Sequence, residues 1–213
     1  MRSNTSTLLR TGAVTPMVLA AAMCFAGVAN AATSVNWSCQ GTVAGVAQTS
    51  SMTTSVDGTT VPTGSVTAGS PLAITLTPGA SSVPASASGF TVQNISNLKM
   101  LIPVPANSTF VSTSISGGSV PGGAPSVALV GSNVVLTVPG PINGGTSFTP
   151  PAVTINVTAN APGTITSKYA GTSYSSPGMT MTTRVTVPII GGTNVATSCY
   201  PNPSPTLTTT NVT

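Results

Sequence analysis

The chain has very few charged or proton-transferring side chains. Its 213 residues include no histidine and a single acidic residue, Asp57, and only 3% of them are charged. Most hydrolytic, metal-assisted and acid–base reactions need a group that holds or moves a proton near neutral pH, and histidine and the carboxylates usually supply it. The composition therefore predicts a protein that is not an enzyme and that carries no cofactor or metal.

Each common catalytic arrangement lacks a component. A Ser-His-Asp or Cys-His arrangement needs histidine, glycoside hydrolysis needs two carboxylates, and ordinary zinc or calcium sites need a larger set of ligands. A serine–lysine dyad is the remaining alternative, with Lys99 or Lys168 as the base. Ser167 and Lys168 are neighbours on a predicted strand, so their side chains should point to opposite faces. We expect no catalytic, cofactor-binding or metal-binding residue.

The first 31 residues have the features of a secretory signal peptide. Arg2 and Arg10 precede an apolar stretch, 17–28, that is too short to span a membrane as a helix. The sequence Ala-Asn-Ala at 29–31 matches an A-x-A cleavage site. We expect cleavage after this site, an extracellular or cell-envelope location, and no transmembrane segment in the mature chain. An uncleaved N-terminal anchor is the alternative.

Basic residues are also scarce. The net charge of +4 reflects the shortage of acids, because the whole chain has only five lysines and arginines. The three that follow the leader, Lys99, Lys168 and Arg184, are scattered, and isolated cations cannot neutralise a run of phosphates. We therefore expect no nucleic-acid partner. A neutral surface of hydroxyls and amides suits a protein held in a wall or an assembly, and equally a plain secreted domain.

Two cysteines follow the leader. Cys39 lies near the start of the mature chain, and Cys199 lies near its end. An isolated pair in an exported protein indicates a disulfide. The bond would close a loop that spans most of the mature chain, and the chain-entropy model gives this closure a stabilisation of roughly 5 kcal/mol. A redox-active pair would instead favour a C-x-x-C spacing. The pattern predicts one structural disulfide and a single closed unit.

Alternation of apolar and polar residues dominates the rest of the chain. The clearest examples are 35–39, 72–77, 134–138, 153–158 and 179–187, and they are rich in β-branched residues. Such alternation is typical of antiparallel sheets that are buried on one side. With frequent glycine and proline turns between the segments, it predicts an all-β antiparallel sandwich.

Turn signals divide the chain further. Asp57 and Gly58 form a dipeptide that predicts a hairpin turn. The Gly/Pro-rich stretch 117–125 is interpreted as a long loop inside one domain, because the predicted disulfide spans it. We expect one domain over 32–200 and an extended or mobile Pro/Thr-rich tail over 201–213.

The few aromatic residues offer a binding hypothesis. Trp37 lies two residues before Cys39, so both side chains share one face of a strand, and core packing beside the disulfide is the expected role. The alternative is a ligand-stacking platform formed by Trp37, Tyr169 and Tyr174, with Tyr200 as a further companion. Aromatic residues make up only 4% of the chain, which leaves little material for such a platform.

Two segments resemble the Ig-like modules of bacterial secreted and cell-surface proteins. The first is 101–118, LIPVPANSTFVSTSISGG, which contains the Pro-x-(Gly/Asn)-x-Thr-Phe-Val-Ser pattern of these modules and ends in a Gly-rich loop. The second is 134–159, in which GGTSF precedes an alternating strand, as in the second half of such a module. The whole chain also looks like small exported β-sandwich proteins of actinobacteria, most of them uncharacterised. The resemblance implies an Ig-like β-sandwich, closed here by one disulfide.

The function expected from these features is an exported, non-enzymatic cell-envelope or extracellular module with a structural or adhesive role. Its partners would be cell-wall or envelope components. The alternative is a secreted sandwich that binds a carbohydrate or another small ligand. Some Ig-like surface domains also form a Lys–Asn crosslink beside an acid, which here would need Asp57 with Lys99 or Lys168, but a simple turn at Asp57 is the preferred interpretation.

Overall fold

The computed structural model of the chain describes residues 32–213, which form β-strands and no α-helix. The strands are β1 (Thr33–Val43), β2 (Val46–Val61), β3 (Ser65–Val66), β4 (Pro71–Pro78), β5 (Ser81–Ser82), β6 (Ser86–Ala87), β7 (Phe90–Pro103), β8 (Ser108–Ser116), β9 (Ser126–Val130), β10 (Asn133–Val138), β11 (Ile142–Asn143), β12 (Ser147–Phe148), β13 (Ala152–Ala159), β14 (Gly163–Ser167), β15 (Met179–Val187), β16 (Gly191–Pro201) and β17 (Thr208–Val212). The predicted signal peptide, 1–31, lies outside the described residues.

Most of the strands belong to one sheet. Its main order is β8-β13-β4-β2-β1-β16-β15-β7-β10-β9, with β6 and β11 paired to β7. Every neighbouring pair along this order is antiparallel. The two end strands, β8 and β9, contact each other, so the sheet folds back on itself in a sandwich-like arrangement. The predicted all-β antiparallel fold is confirmed.

The core lies on the inner face of this folded sheet. Ile74 on β4, Val134 on β10 and Ile155 on β13 are fully buried. They are apolar members of the alternating segments, and their β-branched side chains suit a pleated, packed surface. The period-two pattern of the sequence therefore identifies the buried face correctly along these strands.

The disulfide joins two neighbouring strands. Cys39 and Cys199 are directly paired in the β1–β16 ladder, with Cα atoms 4.0 Å apart. Both side chains face the core, at 4% and 0% exposure. The predicted disulfide is confirmed, and it lies within one sheet instead of joining two facing sheets as in antibody domains.

The predicted hairpin turn at Asp57 and Gly58 is wrong. Both residues lie inside β2, where they pair with Thr77 and Leu76 of β4. The segment before β17 crosses β2 at this point, so a Cβ on Gly58 would overlap the carbonyl oxygen of Leu207. Glycine inside a strand often marks such a close backbone approach. The glycine is therefore explained by a distant segment and not by a local turn.

The C-terminal segment 201–213 also differs from the expected tail, because it contributes a strand to the domain. β17 pairs with β14 in an antiparallel ladder and with β3 in a parallel one. Thr208, Thr210 and Val212 are buried, and the hydroxyls of Ser167 and Thr208 share a hydrogen bond of 2.6 Å. A threonine-rich composition resembles a linker, but threonine is also a good strand former.

Loss of the disulfide should destabilise the mature protein. Residues 32–213 contain no other cysteine, so dithiothreitol, or Cys39→Ser combined with Cys199→Ser, removes this bond alone. We expect the free energy of unfolding, measured by denaturant titration, to fall by roughly 2–5 kcal/mol. Dithiothreitol should leave the double variant unchanged. Equal stability of the oxidised wild type and the double variant would contradict the structural role of the bond.

The crossing over β2 can be tested at Gly58. We expect Gly58→Ala to lower the free energy of unfolding by about 1–3 kcal/mol in a urea titration, because the added methyl group must displace the backbone at Leu207. The control is Thr59→Ala at the exposed neighbouring position, which should change stability by less than about 0.5 kcal/mol. Equal stability of the two variants would argue against the crossing.

Candidate functional site

The structure buries two of the three predicted stacking residues. Trp37 is 1% exposed and Tyr169 is 3% exposed, and their ring centroids lie 5.2 Å apart at a tilt of 54°. The indole Nε1 of Trp37 donates a hydrogen bond of 3.0 Å to Oγ1 of Thr54. These rings are part of the core beside the disulfide, and their faces are covered by protein.

Tyr174 is not brought together with them. It is half-buried and packs edge-on against Tyr200, with ring centroids 5.1 Å apart at 75°. Tyr200 follows the inward-facing Cys199 on β16, so its side chain points to the opposite face of the sheet. The predicted platform of Trp37, Tyr169 and Tyr174 is therefore not assembled.

The candidate serine–lysine dyad is also not assembled. Ser167 is buried and shares a hydrogen bond with Thr208, whereas Lys168 is exposed. The two neighbours point to opposite faces, as expected for a strand end. Lys99 is exposed on β7.

A cleft of about 300 Å³ lies against the inner face of the main sheet. Residues 78–90 lie on its other side, and we call them the covering segment. They comprise the last residue of β4, the short strands β5 and β6, and the first residue of β7. Cys39 and Thr197 line the cleft from the sheet, and Pro84 and Ser86 line it from the covering segment. The cleft is thus built against the disulfide-linked β1–β16 ladder.

A smaller apolar pocket of about 50 Å³ shares part of the same lining. All four methionines of residues 32–213, Met52, Met100, Met179 and Met181, line this pocket. Met52 and Met181 are half-buried and line the larger cleft as well. Methionine is unbranched and polarisable, so it adapts to irregular apolar surfaces. The two cavities together form one methionine-lined site.

The sheet register explains why these methionines converge. Met179 pairs with Met100 across β15 and β7, and with Cys199 across β15 and β16. Met52 pairs with Trp37 across β2 and β1. The three strands that carry methionine are distant in sequence, so sequence reasoning missed the site. The sequence does contain one signal that could have identified the site, because each of these methionines occupies an inward-facing position of a strand in which apolar and polar residues alternate.

The covering segment is held differently along its two sides. Backbone ladders join β6 to β7 and β5 to β12, and the amide of Val92 donates a hydrogen bond of 2.9 Å to the carbonyl of Ala85. On the side of β2, the hydroxyl of Ser88 donates a bond of 3.1 Å to the carbonyl of Thr49. The amide of Gly79 also donates a bond of 2.8 Å to the carbonyl of Ser55 on β2. Ladders therefore hold the segment on β7 and β12, and single hydrogen bonds hold it on β2.

The polarity of the site comes from hydroxyl groups. Ser50, Ser86, Ser88, Thr183 and Thr197 line the cleft, and the hydroxyls of Thr183 and Thr197 share a hydrogen bond of 2.9 Å. In the described chain, no charged side chain lines either cavity. An uncompensated charge is costly to remove from water, so the site is suited to uncharged groups.

A solved structure is similar to this chain in fold. No protein-family model and no curated protein matches the chain. The structure of a protein described as membrane anchored, from Corynebacterium diphtheriae, is similar at a TM-score of 0.51 and 16% identity. The similarity covers 86% of this chain and 37% of the other, so this chain spans little more than a third of that protein's length. At this identity the comparison supports the fold alone. Residues 32–213 contain no helix long and apolar enough to cross a membrane.

The buried phenol of Tyr169 makes stability sensitive to alkaline pH. Burial raises the pKa of Tyr169 above its ordinary value of 10.0. As the pH rises, the phenol therefore loses its proton in the unfolded chain before it does so in the folded one. The contribution of Tyr169 to the free energy of unfolding is fully present below about pH 10, and above that pH it falls by about 1.4 kcal/mol per pH unit. Denaturant titrations between about pH 8 and pH 11 should show this loss for the wild type and for Tyr174→Phe. Tyr169→Phe should lack this part of the loss, and an unchanged slope would contradict the assignment.

Proposed function

We propose that this protein is an exported, non-enzymatic module of the cell envelope or extracellular space with a structural or adhesive role. Three observations support the proposal. The disulfide indicates an oxidising, extracytoplasmic location. The charge-poor, hydroxyl-rich composition suits a protein held in an assembly. The similar solved structure is described as a membrane-anchored protein.

The hairpin between β15 and β16 is the observation that carries the adhesive role. Ile189 is fully exposed and Ile190 is 66% exposed. Ile189 also has a φ of 72°, which β-branched residues rarely adopt. Strained backbone at an exposed apolar position suggests a functional contact, and exposed apolar patches commonly mark interaction sites.

A second apolar position lies at the same end of the sheet. Gly41 of β1 pairs with Thr197 of β16, so the β1–β2 turn at Ala44 and Gly45 points in the same direction as the β15–β16 turn. Val46, which follows this turn, is also exposed. The β1–β2 and β15–β16 hairpins thus both place exposed apolar residues at this end of the sheet.

The carbohydrate alternative has weaker support from the side chains. Sugar rings stack on exposed aromatic faces, whereas Trp37 and Tyr169 pack against each other in the core. Tyr174 and Tyr200 are half-buried and engage each other edge-on. The favoured function is therefore attachment through apolar contacts and not through aromatic stacking on a glycan.

Fractionation of the native host tests the attachment. We expect the wild-type mature protein to stay with washed cells, and Ile189→Ser combined with Ile190→Ser to shift it into the medium by about tenfold or more, because two apolar contacts are lost. The control is Val130→Ser. Val130 is a similarly exposed residue beside the β9–β10 turn, at the other end of the sheet, and this change should leave retention unaltered.

Two results would count against the proposal. Wild-type protein found wholly in the medium would overturn the envelope role. Equal retention of the wild type and the double isoleucine variant would leave an envelope location but remove the hairpin end as the contact.

A further inference from the structure

We infer that the methionine-lined cleft beneath the covering segment binds a small, uncharged and mainly apolar ligand. This inference goes beyond the proposed envelope role and does not depend on it. The site is the cleft of about 300 Å³ and the adjoining apolar pocket of about 50 Å³.

The size and lining of the site define the class of ligand. Ligand pockets have volumes of about 300–1,000 Å³. The cleft lies at the lower end of that range, so it suits a small molecule. Met52 and Met181 line both cavities, which gives an apolar body a continuous surface to contact. Ser50, Ser86 and Thr183 supply hydroxyls in the larger cleft, which suit a single polar group such as an alcohol.

The absence of charge in the lining sets the selectivity. The charged side chains of the described chain are Asp57, Lys99, Lys168 and Arg184, and none of these four lines the cleft or the pocket. A carboxylate or sulfonate that entered the site would lose its hydration without gaining an ionic partner. An uncharged ligand should therefore bind far better than a charged analogue of the same shape.

The walls of the site combine a fixed and an adaptable surface. Cys39 in the lining belongs to the disulfide-linked β1–β16 ladder, so this side is preorganised and costs little ordering on binding. Met100 and Met179 are buried, whereas Met52 and Met181 are only half-buried. Flexible thioether side chains at an accessible apolar surface are typical of sites that fit a ligand closely by adjusting rotamers.

Fluorescence titration with two matched probes tests the site on the mature protein. N-phenyl-1-naphthylamine is uncharged, and 1-anilinonaphthalene-8-sulfonate has the same ring system with one negative charge. We expect saturable binding of one uncharged probe per chain with a micromolar dissociation constant, and binding of the sulfonate at least about tenfold weaker. At about pH 8, 1-decanol should displace the probe and decanoate should not.

Cleft-filling variants locate the binding. Ser50→Phe fills the cleft from β2, and Ser86→Phe fills it from the covering segment. Two variants are used so that the test still gives a result if one of them fails to fold. Each should weaken probe binding by about tenfold or more. The matched control is Ser114→Phe at an exposed position on β8, outside the lining, which should bind like the wild type.

The inference fails if the two probes bind equally, if decanoate competes as well as 1-decanol, or if both cleft-filling variants fold and bind normally. Ile189→Ser combined with Ile190→Ser should leave probe binding unchanged. Loss of binding in that variant would place the probe on the exposed hairpin and overturn the cleft as the site. The outcome is independent of whether the protein stays with the cell envelope.

Discussion

The ladder between β1 and β16 is the junction on which the rest of the sheet depends. Along the strand order of residues 32–213, it joins β8-β13-β4-β2-β1 to β16-β15-β7-β10-β9. Each half contains strands from both early and late parts of the chain, so closing this ladder fixes the topology as a whole. The disulfide occupies the middle of its register, between the pairs Trp37–Pro201 and Gly41–Thr197. A covalent bond at this point limits the separation of the two halves in the unfolded chain and the folded one.

Hydroxyl pairs take the place that ion pairs occupy in more highly charged proteins. Thr75 and Thr154 share a hydrogen bond of 2.9 Å between β4 and β13, and the Ser167–Thr208 bond joins β14 to β17. Cross-strand pairs of this type stabilise neighbouring strands. Because hydroxyls do not ionise over the ordinary pH range, these links are insensitive to salt and to moderate changes in pH. The low charge content therefore leaves the cohesion of the sheet intact.

The sequence was sufficient for features that depend on neighbouring residues. Alternation predicted the all-β fold and its buried face, and the spacing of Trp37 and Cys39 placed both in the core, as the structure shows. It was insufficient where a distant segment sets the constraint. Gly58 looked like a turn residue because nothing near it reveals the crossing at Leu207. The methionine-lined cleft escaped prediction for the same reason. β15 and β7 are neighbours in the sheet, β2 lies beyond β1 and β16, and only the folded chain places methionines from all three strands around one pocket.

The two walls of the cleft are held in place differently. One wall contains Cys39 of the junction, where the ladder and the disulfide resist distortion. The opposite wall is the covering segment, which two short ladders anchor on β7 and β12 and which bonds to β2 through the Gly79 amide and the Ser88 hydroxyl. Regions with few such links open at lower free energy than the core, so we expect the covering segment to be the more adaptable of the two walls. The shortage of charged residues also leaves this cleft neutral, and a neutral, apolar lining would favour uncharged molecules.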